Sequence, residues 1–141
     1  SHHRIVLDNH KIRLGLPDVN LGLIPGGGGI IRLMWLLGIE RAYEILALGR
    51  VYRPKEALKE EIIDAIAQDE RELMDKAREW ILSTREGRRP WDQKAMGIPF
   101  GTAVDVEMTR KIRRLNIKLV KENKFHFPAK HSIFNILVEG S

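Results

Sequence analysis

The residues best suited to chemistry lie close together near the start of the chain, in Leu14-Gly15-Leu16-Pro17-Asp18-Val19-Asn20-Leu21-Gly22-Leu23-Ile24-Pro25-Gly26-Gly27-Gly28-Gly29. Asp18 is an ionisable carboxyl directly after a proline. Taken by itself, such a residue more often starts a turn than does chemistry, because proline presets φ and aspartate bonds its own backbone. The glycines after Pro25 let the backbone approach a ligand closely and open a helix whose first N–H groups have no partner inside it. They form neither a G-x-G-x-x-G dinucleotide fingerprint nor a P-loop, since no Lys-Ser or Lys-Thr pair follows. By spacing alone, such glycines are more often a tight structural turn than a phosphate cradle.

Other chemistries find less support. The chain has no cysteine, which excludes disulfides and thiolate metal sites and fits a reducing compartment. His2, His3 and His10 lack metal-ligand spacing, His126 and His131 have no matching carboxylates, and no Ser-His-Asp arrangement can be assembled. The net charge of +5 gathers at Arg85–Arg89 and Arg110–Lys124, which suits either a solvated basic face or the binding of a polyanion. Nucleic acid is the weaker of the polyanion readings, because the basic helix lacks an aromatic platform on which bases would stack. The apolar run Ile24–Leu37 is broken by Pro25 and four glycines, so no membrane span is expected.

The chemistry-bearing stretch must be positioned by its neighbours. Lys11–Leu14 alternates polar and apolar as a short strand does, and Val19–Ile24 reads as a short apolar stretch. Ile30–Leu37 reads as a buried helix stopped by Gly38, and Glu40–Leu48 as a second helix capped by Gly49. Pro54–Leu58 predicts a short helix, and Ile62–Ile66 a strand or a helix. Asp69–Leu82 predicts an amphipathic helix with Leu73, Ala77 and Trp80 on one face and Asp69 as its cap. A long helix from Thr102, with Asp105 closing a partial capping box, carries the stripe Val104, Met108, Ile112, Leu115 and Leu119 at spacings of four, four, three and four. Lys130–Val138 starts a final helix after Pro128, expected to be cut short by the end of the chain. Trp35 and Trp80 are expected in the core, and Trp91 as a loop anchor. The expected division is 1–84 as one unit, 85–101 as an exposed connector rich in Arg, Gly and Pro, and 102–141 as a C-terminal helical segment.

The run Gly15–Gly29 followed by Ile30-Ile31-Arg32-Leu33 resembles the signature of the enoyl-CoA hydratase/isomerase (crotonase) family. There Pro-Glu, a few apolar residues, Gly-Leu-Ile-Pro-Gly and Gly-Gly-Thr-x-Arg-Leu follow in order. The similarity continues through Gly38-Ile39, the helix containing Ala42 and Glu44, Leu48-Gly49-Arg50 and Ala57-Leu58, and ends where the family has Gly-Leu-Val-Asp. Pro90-Trp91-Asp92 and Phe127-Pro128-Ala129 resemble segments of fused hydratase–hydroxyacyl-CoA dehydrogenase proteins. Three positions depart from the pattern: Asp18 replaces the usual glutamate, Ile30 the usual threonine and Glu61 the usual glycine, while Asp64 is kept.

The resemblance implies an α/β fold: the C-terminal portion of a crotonase-like spiral, mostly helical with a few short strands. It implies acyl-CoA ligands, with Asp18 at the position of the family's second catalytic glutamate. The first glutamate and both oxyanion-hole donors are implied to precede Ser1. Pro17, Pro25, Gly26 and Gly27 are then expected along the substrate, and Lys118 and Lys121 on the phosphates of coenzyme A. No cofactor is expected in this stretch beyond the CoA thioester as substrate; NAD enters only if a dehydrogenase domain follows. A homo-oligomer or multienzyme complex is expected, in a bacterial cytoplasm or, for a eukaryotic source, the mitochondrial matrix. A catalytically incomplete module that binds acyl-CoA or a partner subunit is the alternative.

Overall fold

A computed structural model describes residues 2–84, 97–122 and 128–141. The chain divides into two compact units that it visits alternately: 1–14 with 51–96, and 15–50 with 97–141. Trp91, His126 and residues 85–96 of the expected connector lie outside the described residues.

The first unit is built on two parallel strands, β1 (Ile5–Leu7) and β4 (Ala65–Ala67), in the register Ile5↔Ala65, Val6↔Ile66 and Leu7↔Ala67. Asp64 fastens their start: its carboxylate accepts from the backbone N–H of Arg4 at 2.8 Å and from the guanidinium at 3.0 and 3.2 Å. Between the strands come β2 (Leu14–Gly15), β3 (Val51–Tyr52) and α3 (Pro54–Lys59). α4 (Glu70–Ser83) lies against both β1 and β4.

The caps of α4 follow its sequence. The Asp69 carboxylate accepts from the Glu72 N–H at 2.8 Å, and Glu72 accepts from the Gln68 N–H at 2.6 Å. The Lys76 ammonium and that N–H hold the Glu72 carboxyl below its usual range. Leu73, Ala77 and Trp80 are only half-buried, and Trp80 stacks on His3 with ring centroids 4.9 Å apart.

Two expectations for this unit need correction. Lys11–Arg13 is a turn and only Leu14 continues as strand, because the Asn9 side chain accepts from the Lys11 N–H at 2.9 Å and the Asn9 carbonyl from the Ile12 N–H at 3.0 Å. In Ile62–Ile66 the first two residues close α3, both donating to the Ala57 carbonyl, so the strand starts only at Ala65. β1 was not anticipated; three apolar residues carry no period.

The second unit is helical. α1 (Gly29–Leu37), α2 (Ile39–Leu48), α5 (Val106–Glu122) and α6 (Ala129–Glu139) pack with α2 at the centre, touching α1, α5 and α6. Ala42, Tyr43, Leu46 and Ala47 of α2 are fully buried, as are Ile112 of α5 and Ile133 and Leu137 of α6. Gly38 separates α1 from α2 at φ +80°, and a Cβ there would stand 2.7 Å from the Pro99 carbonyl oxygen, so no other residue fits. Trp35 is half-buried rather than core.

α5 begins later than expected. Asp105 is its cap, accepting from the Glu107 N–H at 2.8 Å, so Val104 falls before the helix and is 87% exposed. The rest of the stripe holds: Met108, Ile112 and Leu119 are buried and Leu115 half-buried.

Candidate functional site

Asp18 sits in a 3-10 turn, Pro17–Leu21. Pro17 occupies the first turn, where its missing N–H costs nothing. Gly22 closes the turn at φ +75°, its N–H directed to the Asp18 and Val19 carbonyls, and the Leu23 N–H donates to Asp18 at 3.1 Å. The turn packs on α2. Val19 is buried, and Asn20 lies against Gly49, the left-handed cap of α2. A Cβ at Gly49 would stand 2.7 Å from the Asn20 amide, so glycine is required there by space as well as by its φ of +56°. The backbone around Asp18 is therefore fixed, while its side chain is half-buried and hydrogen-bonds to none of the described residues. That suits a group that must meet something outside this chain's own contacts.

The glycine loop follows. Pro25 is buried and Gly26 to Gly28 are exposed. Gly27 and Gly28 take φ values of +59° and +75°, Gly28 as the cap of α1, and the Gly29 N–H returns to the Gly26 carbonyl at 3.0 Å. Beside Gly26 and Gly27 nothing lies within 4 Å of where a Cβ would be. Open space thus adjoins the backbone, and positive φ at Gly27 and Gly28 explains part of the glycine run. The segment read as a short apolar stretch is not core: Leu21, Leu23 and Ile24 are 77%, 58% and 45% exposed, between Asp18 and the glycines. Three large apolar side chains are thus exposed within four residues.

Lys118 and Lys121 stand exposed on the C-terminal half of α5. The helix is carried by α2, as is the turn of Asp18, so both groups share one support. The structure shows no direct packing of that turn on α5 as extensive as either makes with α2.

Two residues in this region were not foreseen as positioning groups. Asn20 is too common a turn residue to stand out, and the Tyr43–Asn116 hydrogen bond joins positions far apart in sequence: the fully buried Tyr43 hydroxyl donates to Asn116 Oδ1 at 2.6 Å. Burial pushes the Tyr43 hydroxyl from its ordinary 10.0 up to about 12. Among the described residues no group of three or more His, Cys, Asp or Glu could hold a metal ion, and no helix is long and apolar enough to cross a membrane.

Comparison with known proteins bears on this geometry. The fatty acid oxidation complex subunit alpha of Shewanella amazonensis is 33% identical over 144 residues, which cover 99% of this chain and 19% of that protein. The subunit of the same name from Shewanella loihica is 29% identical, with the same coverage of 99% and 19%. The chain thus spans about a fifth of the length of these curated relatives. Among solved structures, an enoyl-CoA hydratase from Bacillus anthracis superposes with a TM-score of 0.52 at 22% identity, over 98% of this chain and 45% of that one. Human mitochondrial delta3-delta2-enoyl-CoA isomerase gives 0.52 at 20% identity, over 98% and 47%. These two show the fold, a portion of the crotonase spiral. The enoyl-CoA hydratase/isomerase family matches residues 3–90, the stretch that holds the Asp18 turn, the glycine loop and the Arg4–Asp64 fastening, and the chain belongs to that family.

Proposed function

We propose that this chain forms the C-terminal half of an enoyl-CoA hydratase/isomerase module that acts on acyl-CoA thioesters in fatty-acid β-oxidation. The module belongs to a longer protein that also carries 3-hydroxyacyl-CoA dehydrogenase activity, whose NAD is bound outside this chain. The observation that carries the reading is the family match over residues 3–90, joined to relatives named as fatty acid oxidation subunits of which the chain spans 19%. The protein works in the cytoplasm of a bacterium, as the Shewanella relatives suggest, and in a homo-oligomer or multienzyme complex.

In this reading the thioester lies along Pro17, Pro25, Gly26 and Gly27, and its oxygen is held by two N–H donors from the preceding half. Those donors stabilise the enolate-like charge that develops as water adds across the double bond, hydroxyl to Cβ and proton to Cα. Asp18 orients that water or moves its proton. Its fixed backbone and unengaged carboxylate support the role. Lys118 and Lys121 meet the phosphates of coenzyme A.

The test is steady-state hydration of crotonyl-CoA by the longer protein. Asp18→Asn keeps size and polarity but cannot take a proton, so turnover should fall by about 10²-fold or more with little change in KM. Turnover equal to that of the unaltered protein removes Asp18 from the mechanism.

A further inference from the structure

The basic helix α5 has an ambiguous seat. Its buried residues Met108, Ile112 and Leu119, with half-buried Leu115, recur at helical spacing, and one slip of four residues sets Val104, Met108 and Leu115 in the buried seats of Met108, Ile112 and Leu119, with only Lys111 entering the half-buried seat of Leu115. Apolar packing alone therefore discriminates weakly between these two registers, whereas the opposite slip and slips of three would bury Asn116, Lys111 or Asp105. One polar contact breaks the degeneracy. The Tyr43 hydroxyl, fully buried on α2, donates to Asn116 Oδ1 at 2.6 Å, and Phe134 of α6 meets the Tyr43 ring edge-on at 5.8 Å. The competing slip would set Ile112 against that hydroxyl. Its side chain cannot accept a hydrogen bond. The wrong register leaves a buried hydroxyl unsatisfied, at a cost of about 1–3 kcal/mol, or about 5- to 150-fold in population.

We propose that the Tyr43–Asn116 hydrogen bond is a register lock for α5, and that by fixing the register it sets where Lys118 and Lys121 stand for the phosphates of a CoA ligand. Asn116 precedes Lys118 by two residues on the same helix, so a one-turn slip would carry both lysines about 5.4 Å along the axis, beyond hydrogen-bond reach of a phosphate already placed. Asn116 and Tyr43 are thus positioning residues. The proposal rests on the reading of the two lysines given above.

The experiment uses the longer protein and the double variant Tyr43→Phe/Asn116→Leu. Removing both partners of a buried hydrogen bond is close to neutral for stability, so a purely structural pair predicts an enzyme that melts and works normally. The lock predicts a normal melting temperature with KM for crotonyl-CoA raised about threefold to tenfold, as expected for weakening one or two charged contacts. Turnover should stay within about twofold, and KM for the crotonyl pantetheine thioester, which lacks the nucleotide phosphates, should not move. Spin labels at Glu40→Cys and Lys118→Cys, in a background free of other reactive cysteines, read the register directly. The double variant should give a shifted or second distance, while Asn116→Asp, which keeps an acceptor, should retain one.

An unshifted single distance overturns the lock. A shifted distance with unchanged KM overturns its link to the ligand. If charge reversal at Lys118 and Lys121 leaves KM unchanged, the reading of the lysines falls, while the distance still decides the lock. Should the double variant fail to fold, Tyr43→Phe, which leaves only the half-exposed Asn116 to water, carries the same readouts.

Discussion

At the scale of single residues, the departures from the family's pattern are where chemistry and stability can be separated. Asp18 is one methylene shorter than glutamate, and misplacing a reacting group by about 1 Å can cost on the order of 10²-fold in rate. Asp18→Glu in the longer protein is therefore expected to keep or raise crotonyl-CoA turnover, where Asp18→Asn should lower it by about 10²-fold or more; equal losses in both variants would mean that the pocket is built around aspartate. Glu61 is the stability counterpart. It stands where the resemblance has glycine and holds φ at +59°, a left-handed conformation that costs a residue with a Cβ about 1–2 kcal/mol. Denaturant unfolding of Glu61→Gly should show a gain of up to about 1 kcal/mol, less whatever the glutamate side chain contributes; a loss would mean that those contacts outweigh the strain. Glycines were the most legible single residues, since Gly38 and Gly49 end helices with positive φ, as their places in the apolar pattern imply. Asn20 and Asn116 were not legible, because their partners, Gly49 and Tyr43, come close only once the helices pack.

At the scale of elements, periodicity identified α1 to α6 with ends displaced by at most a few residues. It failed where a side chain captured the backbone: Asn9 turned Lys11–Arg13 out of the strand, and Asp105 capped α5 late enough to leave Val104 in solvent. The short strands β1 and β4 carry too few residues to show alternation, and their pairing is long-range. The seam of α2 with α5 also sets a pH response. The Tyr43 hydroxyl titrates at about 12 when folded, against 10.0 as its ordinary value. Between those values the unfolded chain loses a proton that the folded chain keeps. The contribution is fully present below pH 10 and is lost as pH rises toward about 12. Chemical denaturation across that window should show stability falling with pH, and Tyr43→Phe should fall less steeply. Identical slopes would show that Tyr43 does not carry the effect.

At the scale of the whole molecule, the apolar residues left in solvent and the net charge of +5 call for partners. Leu21, Leu23 and Ile24, which follow Asp18 in sequence, are exposed apolar surface that the preceding half proposed above would cover. The 141-residue chain alone is thus expected to self-associate, with sedimentation velocity showing species that grow with concentration; a monomer throughout would mean that the chain covers its own apolar surface. CoA affinity of the longer protein should weaken as salt rises, because phosphate contacts to lysine are screened; salt-independent affinity would return Lys118 and Lys121 to the solvated face of the helix. The family was legible in the order of motifs from Leu14 to Asp64, whereas the half-module proposed to complete the site was not, since its contacts are made by residues outside this sequence in that reading. The most direct test of the account adds that segment back. Hydration of crotonyl-CoA is measured for the 141-residue chain alone, for the chain co-expressed with the upstream half-module, and for the same pair carrying Asp18→Asn. The account predicts no hydration by the chain alone, activity in the pair, and loss of that activity with Asp18→Asn; robust hydration by the chain alone, or an unaffected Asp18→Asn pair, would contradict it.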